Sequence, residues 1–237
     1  MKAILLAAGL GTRLRPITDS IPKCLVPIAG EPLLGLWIKK LLALGVSDIL
    51  INTHYFAEQV EAFVRSLNSE IQSKITLVYE AELLGTGGTL IANRAFWEND
   101  TCFVIHADNF CTSSLSAMLI AHDNRPSQTD CTLLVFETDK PQSCGIVQLD
   151  QENIVTEFHE KVQNPPGNLA SGALFLFSPN VFPTYFREYC DKNFVDLSAD
   201  IIPKMVGKLY AWKVNGVFMD IGTLDTYNRA NTIGKDG

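Results

Sequence analysis

Leu5-Leu6-Ala7-Ala8-Gly9-Leu10-Gly11-Thr12-Arg13-Leu14-Arg15-Pro16 stands near the start of the chain, and Pro22-Lys23 follows a few residues later. The apolar run leading into it, Ala3 to Ala7, reads as a fully buried strand, and Gly9 to Gly11 as the loop that ends it. A strand that runs out into small residues and glycines lets backbone N–H groups approach a polyphosphate closely. Arg13 and Lys23 then supply the positive charge a triphosphate requires, Arg13 as a planar fork able to grip two oxygens. Three competing readings remain beside this one. A dinucleotide fold wants glycine at the third position of Gly-x-Gly-x-x-Gly, where this chain has Leu14. A P-loop wants Gly-x-x-x-x-Gly-Lys-Ser/Thr, which is absent. Gly9 and Gly11 alone would also serve simply to shape a turn.

Outward from that loop, strand-like runs alternate with helix-like ones. Pro32 to Leu44 carries apolar residues at helical spacing and ends at Gly45. Asp48–Asn52 reads as a strand, Phe56–Leu67 as a helix, Ile75–Tyr79 as a strand, Gly88–Phe96 as a helix and Cys102–His106 as a strand. Leu115–His122 as a helix and Thr132–Glu137 as a strand complete this part. Strands separated by helices of this length call for a parallel sheet with right-handed crossovers. After residue 137 the grain changes to short strands, Gly145–Leu149, Ile154–Phe158 and Ala173–Phe177, suggesting an antiparallel addition. Two helices, Phe182–Cys190 and Ser198–Val206, lead to Leu209–Val214 and Val217–Asp220. These two runs flank Asn215-Gly216 and so predict a hairpin. A last helix starts near Leu224. The expected class is α/β, a Rossmann-like doubly wound mixed sheet with an antiparallel lobe, forming one domain over 1–237 with a division near 137.

Composition narrows the function classes. Nineteen Lys and Arg against 26 Asp and Glu leave a net charge of −7 over 237 residues, which argues against a general nucleic-acid binder. Hydrophobic residues make up 47%, enough for a sizeable core that needs no disulfide or structural metal. The six cysteines form no CxxC pair, and the four histidines are scattered, so no zinc-type cluster is expected. The cysteines, Trp37, Trp97 and Trp212 read as core. No apolar run is long enough to span a membrane, and no signal-type or lipidation motif is found, so a cytoplasmic, reduced-thiol setting is expected.

The segment from Leu6 to Pro27 resembles the signature of sugar-1-phosphate nucleotidyltransferases, also called nucleoside-diphosphate-sugar pyrophosphorylases. Their Gly-x-Gly-Thr-Arg-Leu-x-Pro-x-Thr is matched by Gly9-Leu10-Gly11-Thr12-Arg13-Leu14-Arg15-Pro16-Ile17-Thr18, and their Pro-Lys by Pro22-Lys23. The resemblance continues, in the family's order, through Gly85-Thr86-Gly87-Gly88, Asp108-Asn109, Glu160-Lys161, Ser171-Gly172 and Asp220-Ile221-Gly222-Thr223. It implies the nucleotide-diphospho-sugar transferase fold and the reaction NTP + sugar 1-phosphate → NDP-sugar + pyrophosphate. It implies magnesium as cofactor, and a nucleoside triphosphate and a sugar 1-phosphate as partners, with no nucleic acid or membrane. Either a monomer or a homo-oligomer is compatible with it.

By the same resemblance, Arg13, Lys23 and Asp108 are the catalytic groups, and Asp108 and Asp220 the metal carboxylates. Leu6, Ala7, Ala8, Gly9, Gly11, Thr12, Glu80, Gly85 and Thr86 line the nucleotide. Asn109, Gly145, Glu160, Lys161, Ser171 and Gly172 face the sugar. Asp108 and Asp220 lie 112 residues apart (220 − 108), so their meeting is implied by the family and not by spacing. The proline usual after Glu-Lys is replaced by Val162. Glu80 stands where some uridylyl- and thymidylyltransferases carry Gln; a carboxylate only accepts hydrogen bonds, which suits the two adjacent donors of guanine better than uracil. Ala8 points the other way, since Ala-Ala-Gly is frequent among uridylyltransferases. The chain looks most like mannose- or heptose-1-phosphate guanylyltransferases, with a uridylyltransferase of a hexose or amino-sugar phosphate as runner-up. A non-catalytic, nucleotide-sugar-binding regulatory homologue is a further alternative, and a nicotinamide dehydrogenase is disfavoured by Leu14 and the basic pair. The short stretch after Asp220 leaves no room for a left-handed β-helix acetyltransferase domain.

Overall fold

Why the strand before the glycine loop is buried is visible in its neighbours. The computed structural model describes residues 1–179 and 181–235; residues 236 and 237, which close the expected lobe, and 180 lie outside them. The chain is mixed α/β and divides into two units that it enters more than once: Met1–Leu83, Ile105–Ser113 and Gly216 onward form the first, Leu84–Val104 and Ser114–Asn215 the second. The first unit begins with β1 (Lys2–Leu6), β2 (Pro27–Ile28), β3 (Glu31–Pro32), α1 (Leu33–Ala43), β4 (Asp48–Thr53), α2 (Ala57–Ser66), α3 (Ser69–Gln72) and β5 (Ile75–Tyr79). The second takes over with α4 (Thr86–Ala92), α5 (Arg94–Trp97) and most of β6 (Cys102–His106), and the first resumes with β7 (Asn109–Cys111). Then α6 (Ser116–Asp123), β8 (Cys131–Glu137), β9 (Gly145–Leu149), β10 (Val155–Glu160), β11 (Leu169–Phe177), α7 (Val181–Tyr185) and β12 (Leu209–Lys213) belong to the second. The first closes with β13 (Phe218–Asp220) and α8 (Leu224–Lys235).

In the first unit β1, β4 and β5 run parallel, in register from Lys2↔Asp48 to Leu6↔Asn52 and from Ile49↔Ile75 to Thr53↔Tyr79. Ala3, Ile4 and Leu5 are fully buried, as a parallel strand covered on both faces must be. Helical connections carry the chain from each strand to the next, as the alternation predicts. At the ends of the strands, the Ala107 N–H donates to the Leu6 carbonyl at 3.0 Å, which brings the residue before Asp108 beside the start of the glycine loop.

The second unit is mainly antiparallel, with β9 against β10 and β8 against β11, and β12 joins β8 in parallel. Its core is aromatic. The Trp97 ring lies 5.7 Å from Phe177, 5.9 Å from Phe182 and 5.3 Å from Phe186, while its indole N–H donates to the Leu90 carbonyl at 2.9 Å.

Five expectations need correction. The Asn215-Gly216 hairpin does not form: β12 pairs with β8, and β13 pairs antiparallel with the short strand β7, which the sequence pattern does not reveal. Gly216 is needed instead by crowding, because a Cβ there would stand 2.5 Å from the Ser113 hydroxyl at a φ of +140°. The helix expected over Gly88–Phe96 breaks at Asn93, whose side-chain amide donates back to the Thr89 carbonyl, and the one expected over Ser198–Val206 is a π turn followed by a 3-10 turn around Pro203. The expected helix Phe182–Cys190 likewise ends as α7 at Tyr185 and continues as a 3-10 turn, Arg187–Tyr189. Not every cysteine is core: four are buried, but Cys144 is half-buried and Cys190 exposed, and Trp212 is half-buried too.

His122 on α6 is buried, and its Nδ1 meets the Thr132 hydroxyl at 2.9 Å. Burial, assisted by the nearby Arg125, lowers its pKa from 6.5 to about 4. The unfolded chain therefore takes up a proton between those values that the fold refuses. This contribution to stability is complete above pH 6.5 and lost as pH falls through about 4, on the order of 2–3 kcal/mol. Urea midpoints for His122→Gln are expected to fall less between pH 7 and pH 4.5 than those of the wild type.

Candidate active site

Gly11 carries the turn after β1, at φ +64°, and leads into a 3-10 turn over Thr12–Leu14. The Thr18 hydroxyl donates to the Gly11 carbonyl at 2.7 Å, and a Cβ on Gly11 would press on Thr18 at 3.0 Å and on the Lys23 stem at 3.2 Å. Gly9 differs: it is exposed, and no atom lies within 4 Å of where its Cβ would be. Packing explains one glycine of the pair and leaves the other unexplained. Leu6, Ala7 and Ala8 are buried, and Thr12 is exposed.

The two aspartates meet through backbone pairing. In the β7–β13 ladder Asp220 lies opposite Asn109, and the Ile221 N–H donates to the Asp108 carbonyl at 3.0 Å. Both carboxylates converge on one ammonium: Lys23 Nζ stands 2.7 Å from Asp108 Oδ2 and 2.6 Å from Asp220 Oδ1. Arg13 Nη2 holds the other Asp220 oxygen at 3.0 Å. The Lys23 side chain is only 8% exposed, whereas that of Arg13 is 69% exposed. Burial alone would raise the Asp108 pKa, but the Lys23 ammonium, His106 and the hydrogen bond from Lys23 together hold it below the ordinary carboxylate value. Cys24 next to Lys23 is pushed up to about 12 by burial and by Asp108, so it is an inert thiol.

Two residues given no role by the sequence stand in the first unit, Gly222 at this cluster and Asn52 beside the start of the glycine loop. Gly222 has no room for a side chain, since a Cβ would stand 2.5 Å from Asp220 Oδ2 and 3.2 Å from the Arg13 guanidinium. Asn52, buried at the end of β4, accepts from the Ala7 N–H at 2.7 Å and donates to Glu80 Oε1 at 2.8 Å. A buried amide closing an otherwise apolar strand, Asp48-Ile49-Leu50-Ile51-Asn52, was the available signal. Glu80 is buried as well, and its carbonyl meets His54 Nδ1 at 2.8 Å. Asn109 is buried beside Asp108, with its carbonyl accepting the Trp37 indole N–H at 2.7 Å.

The second unit holds the remaining expected residues in two places. Gly85, at φ +78°, starts a turn whose Gly87 and Gly88 N–H groups both donate to the Val195 carbonyl, at 2.8 and 3.0 Å. The Thr86 hydroxyl accepts from the Leu197 N–H at 2.8 Å. Elsewhere, Gly145 lies opposite Glu160 in the β9–β10 ladder, and a Cβ on it would stand 2.7 Å from Glu160 Oε2. Glu160 Oε1 pairs with Lys161 Nζ at 2.9 Å. The antiparallel match Ala170↔Ile146 places Ser171 level with Gly145, and the Ser171 hydroxyl accepts from the Ala173 N–H.

A divalent cation finds two carboxylates in the first unit, Asp108 and Asp220; among the described residues no group of three or more His, Cys, Asp or Glu is suited to hold one. Two carboxylates, with phosphate oxygens and water completing six ligands, is a common arrangement for magnesium, so the donor set suits a cation that arrives with a polyphosphate.

The model of the family described as nucleotidyl transferase matches residues 2–236. The chain belongs to this family. Curated relatives include the mannose-1-phosphate guanylyltransferase catalytic subunit beta of Xenopus tropicalis, 30% identical over 227 residues, and mannose-1-phosphate guanylyltransferase 1 of Arabidopsis thaliana, 30% identical over 228. Each alignment covers 94% of this chain, which spans 61% of the length of either relative. Among solved structures, a candidate glucose-1-phosphate thymidylyltransferase from Bacillus anthracis, in complex with sucrose, superposes with a TM-score of 0.85 at 24% identity, covering 100% of this chain and 96% of that one. HddC from Yersinia pseudotuberculosis, in complex with GMP-PN, gives 0.77 at 24% identity over 98% of both chains. This nucleotidyl transferase chain therefore has the nucleotide-diphospho-sugar transferase fold expected for it. Among its described residues, no helix is long and apolar enough to cross a membrane.

Proposed function

We propose that the protein transfers a nucleotidyl group from an NTP to a sugar 1-phosphate, releasing pyrophosphate. The observation that carries this reading is the convergence of Lys23, Arg13, Asp108 and Asp220 beside a glycine loop in a chain of this family. A sugar phosphate oxygen is already anionic near neutral pH, so the attack needs no general base. That oxygen forms its bond to the α-phosphorus as the bond to the pyrophosphate oxygen breaks in line. What remains for the protein is positioning and charge neutralisation. Arg13 would meet the departing pyrophosphate, and Lys23 the phosphate it leaves. Asp108 and Asp220 would hold magnesium, which when bound neutralises polyphosphate oxygens.

Gly9, with space around it, would let backbone N–H groups of the loop Leu6–Thr12 approach the phosphates. Gly85 and Thr86 would flank the base. Asn109, Gly145, Glu160, Lys161, Ser171 and Gly172 would serve the sugar phosphate, Glu160 accepting from hydroxyls and Lys161 meeting the phosphate. We assign GTP as the nucleotide and a mannose- or heptose-type phosphate as the acceptor. The mannose-1-phosphate guanylyltransferase relatives support this, as does Glu80, which offers guanine an acceptor with its carboxylate oriented by Asn52. The uridylyltransferase alternative rests on Ala8.

Pyrophosphate release from four NTPs crossed with mannose, heptose, glucose and amino-sugar 1-phosphates, with and without magnesium, tests the proposal. Magnesium-dependent release from GTP with a mannose or heptose phosphate is expected. Release with UTP alone would move the assignment to a uridylyltransferase, and silence across the panel would favour a regulatory homologue that binds without turnover.

A further inference from the structure

The cluster contains its own cation. Lys23 Nζ stands within 2.7 Å of one oxygen from each of Asp108 and Asp220, the point at which a metal shared by the two carboxylates would also stand. A magnesium ion sits about 2.0–2.1 Å from its oxygens, so the ammonium and the metal compete for one space and one pair of carboxylates. The charges already balance: two carboxylates face Lys23 and Arg13, and a bare dication approaching them meets no net attraction. The ammonium cannot leave for solvent without a new partner, because its side chain is buried and its backbone is fixed in the turn Lys23–Leu25. Its stem, however, lies against Gly11, in the loop proposed to receive the phosphates.

We infer that Lys23 is an internal cation that closes the carboxylate pair to bare metal and yields it only when polyphosphate oxygens draw the ammonium away. Metal and nucleotide then enter together: the incoming phosphates take over Lys23, and the metal they carry takes over Asp108 and Asp220. A lysine proposed to stabilise the transition state thus also enforces the order of binding. The inference rests on the transferase reading for its metal site, but what it claims about Lys23 concerns the nucleotide-free protein.

The test follows the free Mn2+ resonance as nucleotide-free protein is added. Wild type is expected to leave the signal unchanged, and Lys23→Met, which keeps the stem and removes the charge, to bind Mn2+ at least about tenfold more tightly. Lys23→Arg should behave as wild type, and adding Asp108→Asn to Lys23→Met should abolish the gain. Equal Mn2+ uptake by wild type and Lys23→Met would overturn the inference, as would a gain that survives Asp108→Asn. A second measurement needs no variant: Mn2+ alone should not raise the melting temperature of wild type, whereas Mn2+ with GTP should raise it beyond GTP alone. A shift of the same size with Mn2+ alone would overturn the inference. If no NTP stabilises the wild type with or without Mn2+, the transferase reading falls, while the Mn2+ comparison of wild type and Lys23→Met still decides what Lys23 does.

Discussion

Arg13→Ala lowers kcat by about 100-fold or more and leaves the melting temperature nearly unchanged. The expectation follows from how differently the two basic residues are held. Arg13 is mostly exposed and makes one ion pair, with Asp220 at 3.0 Å, an arrangement that adds little to stability. The same exposure leaves its guanidinium available to an incoming phosphate, where a preorganised positive group is worth about 10²–10³ in rate. Gly222 has no side chain that would displace it. The check is kcat with the best substrate pair from the panel, beside a thermal melt of the same sample. Near-wild-type turnover would remove Arg13 from the machinery, and a large loss of stability would assign it a structural role instead.

Gly85→Ala has the opposite signature. The residue sits at φ +78°, and the new Cβ would lie 2.4 Å from the Val195 carbonyl oxygen, which already accepts from Gly87 and Gly88. Neither party can move without breaking those bonds, so a loss of about 3 kcal/mol or more is expected, from backbone strain and overpacking together. Gly9→Ala is the control: open space surrounds it, so its urea midpoint should stay near wild type. If the loop cradles phosphates, Gly9→Ala instead raises the KM for the nucleotide. A Gly85→Ala protein as stable as wild type would mean that the segment around Val195 gives way.

These contrasts show what sequence alone can and cannot convey about such a chain. The buried strand before Gly9 and the helices between the first strands were legible because apolar periodicity is a local property, and β1, β4 and β5 lie where it puts them. The strand β7 was not legible, since three residues carry no period, and with β7 hidden the Asn215-Gly216 turn looked like a hairpin. Helix ends at Asn93 and Pro203 depend on side-chain bonding and ring geometry that a hydrophobic pattern averages away. At the cluster, charge beside glycines pointed to Arg13 and Lys23, whereas Asp108 and Asp220 were implied by the family resemblance and by no local pattern. Asn52 and Gly222 act through what they touch, an amide N–H in one case and an unfilled volume in the other; an amide ending an apolar strand and a glycine two residues after Asp220 mark them in the chain without saying what they touch.

The β7–β13 pairing has a consequence for how the protein is made. That ladder sets Asp220 beside Asp108, so a nascent chain carries an incomplete carboxylate pair until 112 further residues (220 − 108) have been added. At ribosomal speed that is a wait of roughly ten seconds. During it, Lys23 has one carboxylate to neutralise instead of two, and the first unit lacks β13 and α8. Completion of this cluster therefore waits for the stretch that carries β13, and a transcript cut short before residue 216 yields a product with the glycine loop but no second aspartate to close it.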